Sequence, residues 1–89
     1  MTPSPPATLD DAHRLVVDAV LDIAPDLDAA AVTPEAELRQ DLDLDSMDFI
    51  NLLAALSERL GIDIPERDYD ELDSVGSCAS YLHARARQS

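Results

Sequence analysis

The segment "DSMDFINLLAALSERLG", Asp45 to Gly61, restricts the possible folds more than any other part of the chain. It carries apolar side chains at Met47, Phe49, Ile50, Leu52, Leu53, Ala54, Ala55, Leu56 and Leu60. Its Leu and Ala content favours helix, Asp45 or Ser46 can cap the start, Asp48 suits the positive end of the dipole, and Gly61 supplies a stop. A surface helix needs an apolar arc of only about 100°. This helix has more than that, so it must meet the core and also a second surface, either a cavity or a partner.

Its companions are helical too. "LDDAHRLVVDAVLDIAP" places Ala12, Leu15, Val16, Ala19, Val20 and Ile23 at i, i+3, i+4 spacing, with Asp10 or Asp11 at its start and Pro25 just past its end. "SVGSCASYLHARARQ" repeats the pattern with Val75, Cys78, Ala79, Leu82 and Ala86. Ser74 is its candidate N-cap, and Arg85 and Arg87 sit near the carboxyl end, where the dipole favours cations. "IDIPERDYDEL" reads as a short helix of one or two turns, opened by Pro65 and anchored by Tyr69 and Leu72.

Only two glycines are present, and the aromatics are Phe49, Tyr69 and Tyr81. A protein of many tight hairpins is thereby disfavoured, and the core must be aliphatic. No strand pattern or internal repeat appears. The expected fold is all-α: a four-helix bundle of three longer helices and one short, in a single domain over 8–87 that follows a disordered tail at 1–7. Asp26 to Asp45 breaks the helical period and forms a long loop between the first two long helices. Within it "VTPEAEL" permits at most one helical turn, while Leu38 and Leu42 pin the loop to the core. Loops of this length in compact domains are commonly functional.

The net charge is −13, carried against six arginines and no lysine. Such a chain repels nucleic acid and anionic membranes and suits partners with basic patches. The single cysteine, Cys78, excludes an internal disulfide and a zinc site of several thiolates, and its place on an apolar helix face predicts burial. "MTPSPPATL" lacks a basic segment followed by an apolar stretch, and no apolar run approaches the roughly 18 residues of a membrane span. A cytoplasmic monomer is expected.

The acid concentrates in "QDLDLDSMDF", Gln40 to Phe49, around Ser46. Asp41, Asp43 and Asp45 match positions of a calcium loop. That loop also needs a glycine where Ser46 stands and a bidentate glutamate where Leu52 stands, which excludes it. A plain helix cap explains Asp45 and Ser46, yet Asp41 and Asp43 lie too early to serve the dipole. A nucleophilic role for Ser46 lacks a base: His13 and His83 lie near the chain ends on helices, where both are expected to face solvent. A serine presented for modification, with acid around it as a docking signal, fits best.

"DLDLDSMDF" before an apolar helix closely resembles the attachment motif of acyl carrier proteins, roughly Asp-Leu-Gly-x-Asp-Ser-Leu-Asp, here Asp41, Leu42, Asp43, Leu44, Asp45, Ser46, Met47 and Asp48. The likeness extends to the first helix, the loop with "TPEAEL", the "GIDIP" link and "DSVGSCASYL". It implies a carrier that is not itself an enzyme. A phosphopantetheinyl transferase would move 4'-phosphopantetheine from coenzyme A onto Ser46, and the arm would hold a fatty acyl, polyketide or aminoacyl group as a thioester.

The resemblance also implies recognition by a loading ligase, transferase or synthase with a basic patch. Asp41, Asp43, Asp45, Asp48, Phe49 and Asn51 would take part, with Met47, Ile50 and Ala54 on the docking flank and Leu52, Leu53, Leu56 and Leu60 inward. Asp43 stands where the family usually has glycine. Asn51, Ser57 and Arg59 replace acid along a helix face that fatty-acid carriers keep acidic. These departures point to a dedicated pathway. The alternative reading is a small acidic helical interaction module without a cofactor, with a nucleic-acid mimic behind it.

Overall fold

The computed structural model describes residues 8–88, with side chains through Arg85. The tail expected at Met1–Ala7 and the side chains of Ala86 and Arg87 lie outside the described residues. Three α-helices carry the architecture: α1 (Leu9–Ile23), α2 (Ser46–Leu60) and α3 (Val75–Gln88). Two 3-10 segments join them, Ala29–Ala31 and Glu66–Leu72, and the longer one is the short helix the sequence foretold.

Capping chemistry sets the helix ends. Thr8, two and three residues ahead of the expected aspartates, caps α1 by accepting the Asp11 N–H at 3.1 Å. Asp10 and Asp11 instead fill its first turn, where the dipole favours acid. Asp45 caps α2, and Gly61 ends it in the left-handed conformation at φ 65°. Ser74 accepts the Ser77 N–H at the start of α3, as its position predicted. Pro65 opens the 3-10 segment without any side-chain cap.

Helix α1 is the common partner, packing on α2 and α3, while Glu66–Leu72 packs on α3. The core is aliphatic: Ala12, Val16, Ala19 and Val20 from α1, Leu52, Leu53 and Leu56 from α2, and Val75, Cys78, Ala79 and Leu82 from α3. Leu72 seals it from the 3-10 segment.

The long loop has more structure than its sequence suggests. The 3-10 turn forms at Ala29–Ala31, upstream of "VTPEAEL", because Asp28 caps it through the Ala30 N–H. "VTPEAEL" makes a tight turn and a short antiparallel bridge, Glu37 to Ser74. The Leu38 N–H reaches Asp73 O at 2.9 Å, and the Val75 N–H reaches Ala36 O at 3.0 Å. These bonds staple the loop to the root of α3. Gly76 allows the closest approach: its N–H meets Pro34 O at 2.8 Å, and a Cβ there would also lie 2.8 Å from that oxygen.

Candidate functional site

The sequence Asp41-Leu-Asp-Leu-Asp45 sorts its side chains by alternation. Leu42 and Leu44 are buried, as is Leu38 before them, whereas Asp41, Asp43 and Asp45 are exposed. Burying one leucine contributes about 1.5–3 kcal/mol. The three therefore fix the loop from below, and the carboxylates between them can point only outward. Leu38 and Leu42 were expected to do this; Leu44, hidden among the aspartates, completes the set.

The carboxylates have different local duties. The Glu37 N–H donates to Asp41 at 2.9 Å, closing the turn that leads into the acid run. The Asp48 N–H donates to Asp45 at 2.8 Å, the helix cap proper. Asp43 makes no such bond and adopts φ 60°, the one left-handed non-glycine among the described residues. That conformation reverses the chain just before α2 and suits glycine best.

Ser46 is the first residue of α2 and is exposed. Asp45 engages the Asp48 N–H by its side chain and the Phe49 N–H by its carbonyl, so the N–H groups of Ser46 and Met47 remain as open donors at the helix start. Arg39, from the loop, donates to Ser46 Oγ at 3.3 Å. Sequence reasoning passed over Arg39, because nothing local announces that a residue seven positions earlier returns to the serine.

The remaining expected docking residues divide in two. Met47, Ile50, Asn51 and Ala54 are exposed along one flank of α2, with Met47 68% exposed. Asp48 is half-buried beside them. Phe49 departs from the flank: it is half-buried, and its ring meets the ring of Tyr69 edge-on at 6.0 Å. Leu52, Leu53 and Leu56 are buried, and Leu60 is partly buried against the same core, as expected. Ser57 and Arg59 are half-buried and bonded within the chain. Ser57 donates to Ile62 O, and Arg59 pairs with Asp22 of α1, so both fasten the carboxyl end of α2.

Two cavities flank the helices. One of about 400 Å³ is lined by Arg39, Gln40, Phe49, Tyr69, Asp70 and Asp73, and so opens next to Ser46 through Arg39. A larger one of about 680 Å³ lies away from the serine, among Leu9, His13, Pro34, Gly76, Ser80 and Tyr81. His13 and His83 are half-buried rather than solvent-facing, because helix α1 turns His13 toward α3; its Nδ1 is covered and unpartnered. Neither histidine approaches Ser46 through any described contact. Burial, followed by the charge of Asp73, pushes the Cys78 thiol up to about 12. Burial and the hydrogen bond to Asp68 push Tyr81 up to about 12 as well. Among the described residues, no group of His, Cys, Asp and Glu could hold a metal ion.

The fold and site define a class: a small helical scaffold that exposes a serine at a helix start, with acid around it. The comparisons give the class its family. Residues 14–82 match the family model described as a phosphopantetheine attachment site. The acyl carrier protein of Helicobacter pylori (strain G27) is 39% identical over 66 residues, covering 74% of this chain and 85% of that one. That of Campylobacter jejuni (strain RM1221) is 34% identical over 76 residues, covering 85% and 92%. A solved acyl carrier protein structure from Enterococcus faecalis superposes with a TM-score of 0.68 at 21% identity, over 83% of this chain and 96% of that one, which supports the fold.

The chain belongs to the acyl carrier protein family. It is a carrier, not an enzyme, that works through a 4'-phosphopantetheine arm held covalently on a serine and serves partner enzymes such as transferases and synthases. No helix among the described residues is long and apolar enough to cross a membrane.

Proposed function

We propose that Ser46 is the serine that takes the arm, and that the surface around it is where partner enzymes dock. The observation that carries this reading is the exposure of Ser46 as the first residue of α2, beside open N–H donors. A phosphate on this oxygen would lie where helix-end donors and the dipole favour an anion, so the residues present fit the group. When bound, the arm supplies a thiol that holds an acyl or aminoacyl cargo as a thioester; the protein supplies placement and recognition.

Docking falls to two kinds of surface. Asp41, Asp43, Asp45 and Asp48 bracket the serine and would steer a basic patch of a phosphopantetheinyl transferase or loading enzyme. Met47, Ile50 and Ala54 offer apolar contact on the adjacent flank, with Asn51 among them. Phe49 contributes through the part of its ring left exposed by Tyr69. The chain acts as one domain over 8–87, a cytoplasmic monomer. A dedicated pathway is favoured by Asp43 and by the neutral Asn51 and Ala54 on the exposed face of α2. Ser57 and Arg59 no longer bear on that point, since both are spent on holding the helix end.

The test is intact mass after incubation with coenzyme A and a broad-specificity transferase, with Ser46→Ala alongside. A gain of one phosphopantetheine on the wild type alone supports the assignment. An equal gain on Ser46→Ala, or none on the wild type with either that transferase or its native one, overturns it.

A further inference from the structure

We propose that Arg39 is the clamp for the phosphodiester of the arm. The inference rests on the assignment of Ser46 above and adds a residue to it. A phosphodiester on Ser46 Oγ is an anion introduced among Asp41, Asp43 and Asp45, all exposed, and Asp48. The chain as a whole already carries −13. Two open N–H groups at the start of α2 offer partial positive charge, but the first turn of the helix carries no full cation.

Arg39 supplies the cation. Its Nη2 already lies 3.3 Å from Ser46 Oγ, the atom that becomes the ester oxygen. The side chain is exposed and makes no other hydrogen bond or ion pair among the described residues, so the guanidinium can turn toward a phosphate without breaking one elsewhere. Guanidinium offers several donors in a rigid fork that matches the paired oxygens of a phosphate, which lysine cannot do. The loop position is firm beneath it, because Leu38 on one side is fully buried and its N–H is tied to Asp73 O at 2.9 Å.

The same side chain lines the cavity of Phe49 and Tyr69. A clamp at Arg39 therefore roots the arm at the rim of that cavity, rather than leaving it to swing from the acidic face. Arg39 also keeps the phosphate from repelling the cap: without it, the new anion would press on Asp45, whose carboxylate holds the Asp48 N–H.

The experiment compares apo and loaded forms of the wild type, Arg39→Gln and Arg39→Lys, each loaded to completion and checked by intact mass. The Arg39 Nε–Hε resonance, identified by its loss in Arg39→Gln, is expected to shift on loading and to exchange more slowly with water. The ³¹P resonance of the loaded wild type is expected to differ from that of Arg39→Gln, and the difference to shrink in about 1 M salt, where screening reaches about 3 Å. Arg39→Lys should restore only part of it. The Tm change on loading should be less favourable in Arg39→Gln than in the wild type by about 2–5 °C, while the two apo proteins melt together. An Arg39 resonance indifferent to loading, with equal ³¹P positions in all three proteins, overturns the clamp while leaving the arm on Ser46. Failure of the wild type to gain the arm removes both readings.

Discussion

Replacing Asp43 by glycine should make the protein more stable while making its site a weaker target. Asp43 holds φ 60°, a conformation that costs an L-residue roughly 1–2 kcal/mol, with aspartate and asparagine at the low end. Glycine removes that strain but gives the unfolded chain more freedom, worth about 0.4–1 kcal/mol against it. Loss of a carboxylate between exposed Asp41 and Asp45 returns a few tenths, or about 0.3 kcal/mol, at low salt. The net gain for Asp43→Gly is about 0.3–0.9 kcal/mol, a rise of about 1–7 °C in Tm for a domain of this size.

Two further variants separate the contributions. Asparagine removes the charge and keeps tolerance of the left-handed region, so Asp43→Asn reports electrostatics alone. Alanine removes the charge and tolerates the region least, so Asp43→Ala should fall below the wild type. The assay is urea unfolding of the apo protein followed by circular dichroism, at low salt and again in about 1 M salt, where the charge contribution is screened. The expected order in high salt is Gly, then Asn and Asp together, then Ala. If Asp43→Gly proves no more stable than Asp43→Ala under those conditions, the argument from the left-handed backbone is wrong. Loading by a basic transferase should meanwhile slow in both Gly and Asn variants, and the slowing should vanish with salt.

Gly76→Ala would set a Cβ 2.8 Å from backbone oxygen Pro34 O, an overpacking expected to cost about 1–3 kcal/mol and visible as a lower urea midpoint. Asp45→Ala should lose about 1 kcal/mol with the cap on the Asp48 N–H. Asp45→Asn should retain most of that stability in the same unfolding assay and still load more slowly, which separates the cap from the docking charge. Stability should also decline in alkali. Cys78 ionises near 9.0 when exposed and near 12 in the fold, so above pH 9 the unfolded state releases a proton that the native state keeps, and stability falls with rising pH until about 12. Tyr81 adds to the decline from 10.0 to about 12. A Cys78→Ala variant should show a shallower slope between pH 9 and 11 in denaturant midpoints.

The helices were legible because their determinants are local. Apolar spacing marks α1, α2 and α3, Gly61 marks a stop, and Ser74 marks a start. What was not legible depends on contacts across the chain. Thr8 outcompetes Asp10 as cap because it stands just before the first turn, where its side chain can reach forward to the Asp11 N–H. Arg59 reads as an exposed change on α2 until Asp22 is placed next to it, 37 residues away in sequence. The edge-on packing of Phe49 against Tyr69 joins residues 20 positions apart and is equally invisible in the sequence. The candidate site was readable at Ser46 and unreadable at Arg39, since a motif reports neighbours in sequence and a loop brings neighbours in space.

The acid run now has a division of labour that charge alone would hide. Asp41 closes a turn and Asp45 caps a helix, so those two carboxylates serve the fold even if no partner ever arrives. Asp43 serves no bond among those described and holds a backbone conformation that glycine would hold more cheaply. Its charge is therefore left for use outside the chain, as the proposed docking requires. Arg39 sits at the opposite sign within contact of the serine, so on the proposed reading the surface that would attract a basic enzyme also contains a full cation that would retain an anion. Attraction of the partner and retention of the arm need opposite charges in the same small area. Leu38, Leu42 and Leu44, all buried, hold the loop rigid enough to keep those charges apart.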